Sequence, residues 1–380
     1  MKLIHLSDLH LGKRLYEYPL LGEQEYILRK IVGIIDEEKP DGVIIAGDVY
    51  DKSVPSAEAV VLFDSFLTEL AKRKLQVFVI SGNHDSAERI AFGSGIMNAS
   101  GIRLSPVYSG TIAPAVLHDE FGAVNIYMLP FIKPANVRRF AGEEAEISSY
   151  TDAVAFAVNE MKVDTAQRNI LITHQFVTNA RRSDSEEISV GGSDNVDASV
   201  FAPFDYVALG HLHSPQCCER ETIRYCGTPL KYSLSEIKDE KSVTVVGIYE
   251  KGRIEIRTIP LPPAHGVAEI KGTFEEIMNK SFYENTTLQE DYVQVTLTDE
   301  TDIPDAAAKL RTVYHRFLNI RYDNSRTRAV NEIAADENAR TKSPAELFGD
   351  LFELQNNHPM SAEQSELLNT LIGSIWEGDK

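Results

Sequence analysis

Three short apolar runs near the start of the chain, at 3–6, 43–46 and 77–80, are separated by segments of helical patterning at 23–38 and 56–73. A further helical pattern, 85–99, follows the third run. Runs of four or five residues rich in Val and Ile read as buried strands, and the β-α-β-α-β order predicts a parallel sheet with helices packed on it. From 104 to 130 the pattern is richer in strands, and a helix is expected near 143–161. The strands "NILITH", "YVALGH", "TIRYCG", "SVTVVGIYE" and "RIEIRTIPL" come next. The expected fold class is α/β, a two-sheet sandwich flanked by helices over residues 1–265, closing near the proline cluster "PLPPAHG" at 260–266.

Beyond that cluster the pattern changes. A strand "VAEIKG", a helix "TFEEIMNKSF", a strand "YVQVTLT", a helix over 304–317 and a strand "LNIRY" predict a small α+β unit at 266–328. Polar residues 329–342 read as a linker. Two short helices then form a helical hairpin over 343–380. Ser343, Pro344 and Glu346 make an N-terminal helix signature, and Ser361 with Gln364 repeats the capping box.

No apolar run reaches the ~18–20 residues of a membrane helix, and no signal-peptide pattern is present, so the expectation is a cytoplasmic protein. Three cysteines without a CxxC argue against a disulfide framework or a zinc–thiolate site. A net charge of −19 speaks against nucleic acid as a partner unless bound cations or a second protein supply positive charge.

The chemistry gathers at strand ends. "IHLSDLHLG" places Asp8 and His10 two apart, "VIIAGDVYD" ends in Asp48, and "VFVISGNHDS" gives Asn83, His84 and Asp85. Later strands end in His174 and in "GHLH", where His211 and His213 take up two of only ten histidines. Residues two apart in a strand point to the same side, so both imidazoles face one region. Ligands in open α/β sheets collect beyond the carboxyl ends of the strands. Carboxylates, imidazoles and an amide suit Mn2+, Fe2+ or Zn2+. Any one of these residues alone has an ordinary structural explanation. The ordered set DxH…GD…GNHD…H…GHxH does not.

That set resembles the calcineurin-type metallophosphoesterase superfamily. More narrowly, "HLSDLHLG", "AGDVYD", "GNHDSAER", "HQFVTNA", "SVGGSDNVDAS", "FDYVALGHLHSPQ" and "YCGTPLKYSLSE" resemble the bacterial SbcD family of Mre11-type nucleases, as does "SPAELFGDLFELQNNHPMSAEQ" near the end. The resemblance implies two divalent metal ions, with Mn2+ the leading candidate. One would be held by Asp8, His10 and His213, the other by Asn83, His174 and His211, with Asp48 bridging. It frees His84 for transition-state stabilisation or protonation of the leaving oxygen, the alternative being a structural histidine capping the next helix. Asp85 then orients His84 or caps that helix. Archaeal and eukaryotic members tend to carry a histidine where this chain has Asp51, so that residue's role is not carried over.

The resemblance further implies a nuclease subunit acting on DNA ends as a 3'–5' double-strand exonuclease and a single-strand or hairpin endonuclease. Protein phosphatases of the superfamily carry Arg-Gly after GDxxD and end the third motif in GNHE. Here "KSVP" and "GNHDS" stand instead. A phosphodiesterase for a small phosphoester remains the enzymatic alternative, and a non-catalytic scaffold the other. Candidate DNA contacts are Arg181 and Arg182 and, within the cap at 266–328, Lys309, Arg311 and Arg316. Residues 304–328 hold six Lys/Arg against two acids, a basic stripe or a solvated helix face. Leu347, Phe348, Leu351, Phe352, Leu367, Leu368, Leu371 and Ile372 form apolar faces on the last two helices, either packed on the chain itself or docking a partner. In the resembled family that partner is SbcC, a coiled-coil ATPase similar to Rad50, joined to a homodimer of nuclease subunits in a heterotetramer. The family also implies dimerisation through 56–73 and 86–99, and a place at the nucleoid. No GxxxxGK[ST] run occurs, so no ATP site is expected in this chain.

Overall fold

The computed structural model describes residues 1–142, 146–178, 180–186 and 194–327, with isolated positions between 345 and 372. The chain divides into two compact units, Met1–Val267 and Ala268–Lys380. Linker 329–342 and the residues Leu347 and Leu351 lie outside the described residues.

The first unit contains two six-stranded sheets. In one, strands Lys2–Leu6, Gly42–Ala46, Gln76–Ile80 and Ile102–Leu104 run parallel in that order, and Ser242–Ile248 and Ile254–Pro260 add antiparallel beside Lys2–Leu6. In the other, Arg220–Tyr225, Tyr206–Gly210, Arg168–His174 and Gly122–Leu129 are parallel, with antiparallel strands at both edges. Strand alternation sorts the side chains. Leu3, Ile44, Phe78, Ile80, Val246 and Ile248 meet Val124, Ile126, Ile170, Ile172, Tyr206 and Ala208 to form the layer between the sheets. The other face of the second sheet packs Leu129, Leu171, Val207, Leu209 and Tyr225 on the helix Tyr150–Glu160, whose Ala153, Val154, Ala157 and Val158 are buried. Helices Leu21–Glu38 and Ala57–Lys72 join the first parallel strands. The buried stripe of the former is Ile27, Leu28, Ile31 and Ile35, joined by one polar residue, Gln24.

At the end of the sandwich away from the parallel strands' carboxyl termini, Arg168 is 4% exposed and donates to Asp119 (2.6 and 3.1 Å) and to the carbonyls of Gly122, Ala123 and Tyr249. The Arg168 guanidinium holds the Asp119 carboxyl well below the usual carboxylate range. Because the folded value is the lower one, this stabilisation is complete above the free-Asp value of about 4 and fades as pH falls below it. Asp119→Asn is expected to cost about 3 kcal/mol at neutral pH, since it leaves a buried guanidinium unpaired. Urea melts at pH 7 and pH 3 check this, and a variant–wild-type gap that does not narrow in acid would contradict it.

The expected helix at 85–99 is instead two single turns, Ala87–Ile90 and Ser94–Met97, broken where Gly93 takes φ +75°. A three-stranded sheet is formed by Val267–Gly272, whose residues from Ala268 on belong to the second unit, with Tyr292–Leu297 and Arg316–Tyr322 of that unit. Its core joins Ile270, Val293, Val295, Leu297, Leu310, Tyr314 and Phe317. The expected helix at 304–317 reduces to Ala306–Leu310, and Phe317 belongs to the following strand. Tyr314 explains the early stop: it is fully buried and its hydroxyl donates to the Ile277 carbonyl (2.7 Å), which pins the chain before it turns into the sheet. The expected helix at 273–282 is likewise two turns, Phe274–Met278 and Lys280–Tyr283, parted at Asn279. Ser361 and Gln364 form their capping box, each backbone N–H donating to the other's side chain (2.9 and 3.3 Å). Among the described residues no helix is long and apolar enough to cross a membrane.

Candidate metal centre

The carboxyl ends of Lys2–Leu6, Gly42–Ala46, Gln76–Ile80, Arg168–His174 and Tyr206–Gly210 carry the polar residues singled out above. The chain turns sharply there. Asp8, His10, Asp48 and His211 all take positive φ, at 52°, 43°, 47° and 103°. Such a conformation costs a side-chain-bearing residue about 1–2 kcal/mol, so something must hold it. The first two loops zip together: Asp8 N–H donates to the Gly47 carbonyl (3.0 Å), His10 to Asp48 (2.9 Å) and Leu11 to Val49 (2.9 Å). The strand ends at Gly210, so His211 and His213 lie in the turn beyond it and strand alternation does not govern where they point.

The side chains fall into two overlapping groups: Asp48 clusters with residues of both, and Asp8 clusters with His10 and His213 and also with Asp48 and His174. His10 Nε2 and His213 Nε2 are 3.2 Å apart, and Asp8 completes a cluster with them. Asn83 Oδ1 lies 3.0 Å from His174 Nε2 and 2.9 Å from His211 Nδ1. Asp48 Oδ2 stands between the groups, 3.6 Å from His10 Nε2 and 3.2 Å from His174 Nε2. His84 sits at the edge: its ring centroid is 4.8 Å from that of His10, and it clusters with His10 and Asp48.

Two imidazole nitrogens facing each other at 3.2 Å need a cation or a shared proton between them. Burial pushes His10 and His211 well below the usual histidine range and keeps them neutral, the ligating form. Burial alone would lower His174 as well, but the charges of Asp48 and Asp8 and the Ala46 carbonyl raise it to about 9. Burial would raise Asp48, yet His174 and His10 bring its carboxyl well below the usual range. Asp8 moves up, through burial and through Asp48. The Asp48 carboxylate thus favours a positive charge beside it, which a divalent cation among the same oxygens and nitrogens would supply. The donor set, oxygen and imidazole nitrogen without thiolate, fits a divalent metal ion.

Two of the rings are oriented from behind by a backbone carbonyl. His174 Nδ1 donates to the Ala46 carbonyl (2.9 Å), which turns Nε2 toward Asp48 and Asn83. His84 Nδ1 donates to the Asp51 carbonyl (2.9 Å). Asp51 pairs with Lys13 (2.9 Å). Asp85 neither orients His84 nor caps the next turn, contrary to expectation. Its carboxylate accepts from Val49, Tyr50 and Gly82 N–H groups (3.0–3.1 Å), and Ser86 makes the cap. That task explains why the side chain is drawn partly inward, and desolvation together with Asp48 raises its carboxyl to about 6.

Several supporting residues escaped the sequence reading. Gln24 donates to the Leu9 and His10 carbonyls and accepts from Gly12 N–H, bracing the DxH loop. A polar residue on a buried helical stripe was the available signal. Tyr232 donates to the Leu9 carbonyl (2.6 Å). Ser185, Glu236 and Lys241 stand behind His213, and nothing in the local sequence marks them.

The other candidate residues are placed less pointedly. Arg182 stacks on Phe176 at 3.6 Å and pairs with Asp194 (2.8 Å), and the Phe176 ring is 6.4 Å from that of His211. Arg181 is 72% exposed and pairs with Asp239. Within the second unit, Lys309 donates to the Pro304 carbonyl, Arg311 stacks near Phe317, and Arg316 pairs with Glu290. Part of the basic stripe is therefore neutralised internally. Phe348, Leu367 and Leu371 are exposed helical positions, whereas Phe352, Leu368 and Ile372 are partly buried.

A model of the calcineurin-like phosphoesterase family matches residues 1–215. A second, described as the type 5 capsule protein repressor C-terminal domain, matches residues 263–356. A curated relative, the SbcD subunit of the SbcCD nuclease of Staphylococcus epidermidis, is 30% identical over 384 residues, which cover 99% of each chain. Among solved structures, a Thermus thermophilus protein is 13% identical with a TM-score of 0.39, over 68% of this chain and 98% of its own. A dimetal phosphatase from Danio rerio is also 13% identical with a TM-score of 0.39, over 69% of this chain and 99% of its own.

Proposed function

Given that this chain belongs to the calcineurin-like phosphoesterases and, among them, to the SbcD family of SbcCD nuclease subunits, we propose that it hydrolyses DNA phosphodiester bonds with two divalent ions, Mn2+ foremost. The observation that carries the reading is the position of Asp48, one carboxylate oxygen between the His10 and His174 nitrogens. Asp8, His10 and His213 would hold one ion, Asn83, His174 and His211 the other, with Asp48 shared. Such a pair would lower the pKa of a water and neutralise charge on the attacked phosphate. The remaining tasks fall to the chain. With Nδ1 of His84 donating to the Asp51 carbonyl, Nε2 is the nitrogen left to face the substrate, and in the doubly protonated ring it carries the hydrogen that stabilises the transition state or passes to the leaving oxygen, which returns the ring to its neutral form. Asp48 Oδ1 accepts from the His84 backbone N–H (2.9 Å), which ties that ring's position to the ion site.

The reading extends to the whole chain: 1–265 the nuclease domain, 266–328 a cap that seats DNA, 329–342 a linker, 343–380 helices that dock an SbcC-like ATPase. The relative's description as one subunit of SbcCD supports a partner. The exposed Phe348, Leu367 and Leu371 supply an apolar surface for it. Arg181 and Arg182, with Lys309, Arg311 and Arg316, are the proposed phosphate contacts. A homodimer through 56–73 and 86–99 is supported by the apolar residues exposed there, among them Val61, Phe92 and Ile96 at 63–84% exposure. In this reading ATP on the partner gates access, and the activities are 3'–5' exonuclease on duplex ends and endonuclease on hairpins.

The test is cleavage of labelled linear and hairpin DNA by the purified chain with Mn2+, Mg2+ or chelator, beside His84→Ala and a small phosphodiester. Mn2+-dependent cleavage is expected, falling by about 10²–10⁴ in His84→Ala with the ions still bound. Turnover of the small ester alone, with DNA untouched even after addition of the ATPase, would overturn the proposal.

A further inference from the structure

We propose that Glu236, acting through Ser185, is a positioning residue that fixes which nitrogen of His213 is presented to an ion. The inference rests on the two-ion reading above, and its basis is a hydrogen-bond chain from Glu236 through Ser185 to His213, with the Ser183 hydroxyl also 2.9 Å from that of Ser185. Glu236 is fully buried. Its Oε2 accepts from Lys241 Nζ (2.6 Å), Tyr232 N–H and Thr228 Oγ1 (both 3.3 Å). Its Oε1 accepts from Ser233 Oγ (3.1 Å) and Ser185 Oγ (2.6 Å).

An ionised carboxylate only accepts, so the Ser185 hydroxyl must spend its proton on Glu236. The same oxygen lies 2.5 Å from His213 Nδ1 and, having no second proton, must accept there. His213 therefore carries its hydrogen on Nδ1. Nε2 is left as a bare lone pair, aimed at the point it shares with His10 Nε2, 3.2 Å away. Glu236 cannot do this directly, because its Oε1 is 3.5 Å from Nδ1. Lys241 has two tasks: it balances the buried carboxylate, and it donates to the His213 carbonyl (2.8 Å), holding the backbone of the same residue. His174 reaches the same end more simply, through one backbone carbonyl. The two rings are thus set by unlike devices, and only that of His213 depends on side chains.

Removing an outer partner of this kind weakens metal binding by about 10–100-fold. The test is calorimetric Mn2+ titration of the metal-free full-length chain, with melting of the metal-free protein alongside, for wild type, Ser185→Ala, Ser185→Thr and Glu236→Gln. Ser185→Ala is expected to weaken one of two ions by about 10–100-fold and leave the other within about twofold. Ser185→Thr keeps the hydroxyl and restores binding. Glu236→Gln, whose amide can offer Ser185 a donor instead of an acceptor, weakens the same ion. Wild-type affinities in both Ser185→Ala and Glu236→Gln overturn the relay while leaving the two-ion reading standing. Equal weakening of both ions together with a fallen metal-free melting temperature also overturns it, in favour of a general structural role. Wild-type protein that takes up fewer than two ions overturns the two-ion reading and the relay with it.

Discussion

Asp48→Asn is expected to abolish DNA hydrolysis, by about 10³-fold or more, while the chain stays folded. The size follows from how many tasks one side chain performs. Asp48 is 2% exposed, and its Oδ2 is the oxygen within 3.6 Å of a nitrogen from each group. An amide keeps the shape and, through its oxygen, the bond from the His84 backbone. It loses the charge, and if the amide oxygen takes the Oδ1 place, an N–H₂ group points at His174. In the proposed two-ion arrangement both sites would lose a ligand in a single substitution. The outcome is read as bound metal per chain and as cleavage rate, with circular dichroism to confirm the fold. A variant that still holds two ions and cleaves within about tenfold of wild type would remove Asp48 from the bridging role.

The largest expected effect on stability lies elsewhere. A Cβ added at Gly210 would stand 1.8 Å from the Ala46 carbonyl oxygen and 2.7 Å from His174 Nδ1. Gly210 ends a strand of one sheet and Ala46 ends a strand of the other. The obstruction is backbone, so no side chain can swing aside. Relief requires the sheets to part, which opens the layer between them and breaks the His174–Ala46 bond. Gly210→Ala should therefore cost about 3 kcal/mol or more, at the upper end for overpacking, or yield no folded protein. Gly33→Ala is the control. It lies in the helix Leu21–Glu38 with open space around it, and should gain about 0.5–1 kcal/mol. Denaturant midpoints for the pair decide the matter, and a Gly210→Ala midpoint close to wild type would refute the close approach.

The positions of Asp8, His10, Asp48, Asn83, His174, His211 and His213 at strand ends were legible because each follows an apolar run, and burial of parallel strands writes such runs plainly. The pairing of those runs into two stacked sheets was legible for the same reason. Helix extent was less so. At 85–99 a helical pattern is present, but Gly93 in the left-handed region and the exposure of Phe92 and Ile96 remove the packing that would continue it. At 304–317 the apolar spacing of Leu310, Val313, Tyr314 and Phe317 suits a helix, yet the sheet claims Phe317. What stood furthest from view was the layer behind the ligands. Glu236 and Ser185 are 51 residues apart in sequence, and Asp85 serves the backbone of residues 35 and 36 positions away. Interactions at that separation leave no local period to read.

The four left-handed residues of the centre carry a consequence for how such a chain evolves. Glycine would sit at positions 8, 10, 48 and 211 at little backbone cost, whereas Asp and His are held there only by the surrounding ties. Selection for hydrolysis and selection for folding thus pull in opposite directions at the same residues. A lineage released from the need to cut phosphodiesters would shed these ligands first and become more stable as it did so.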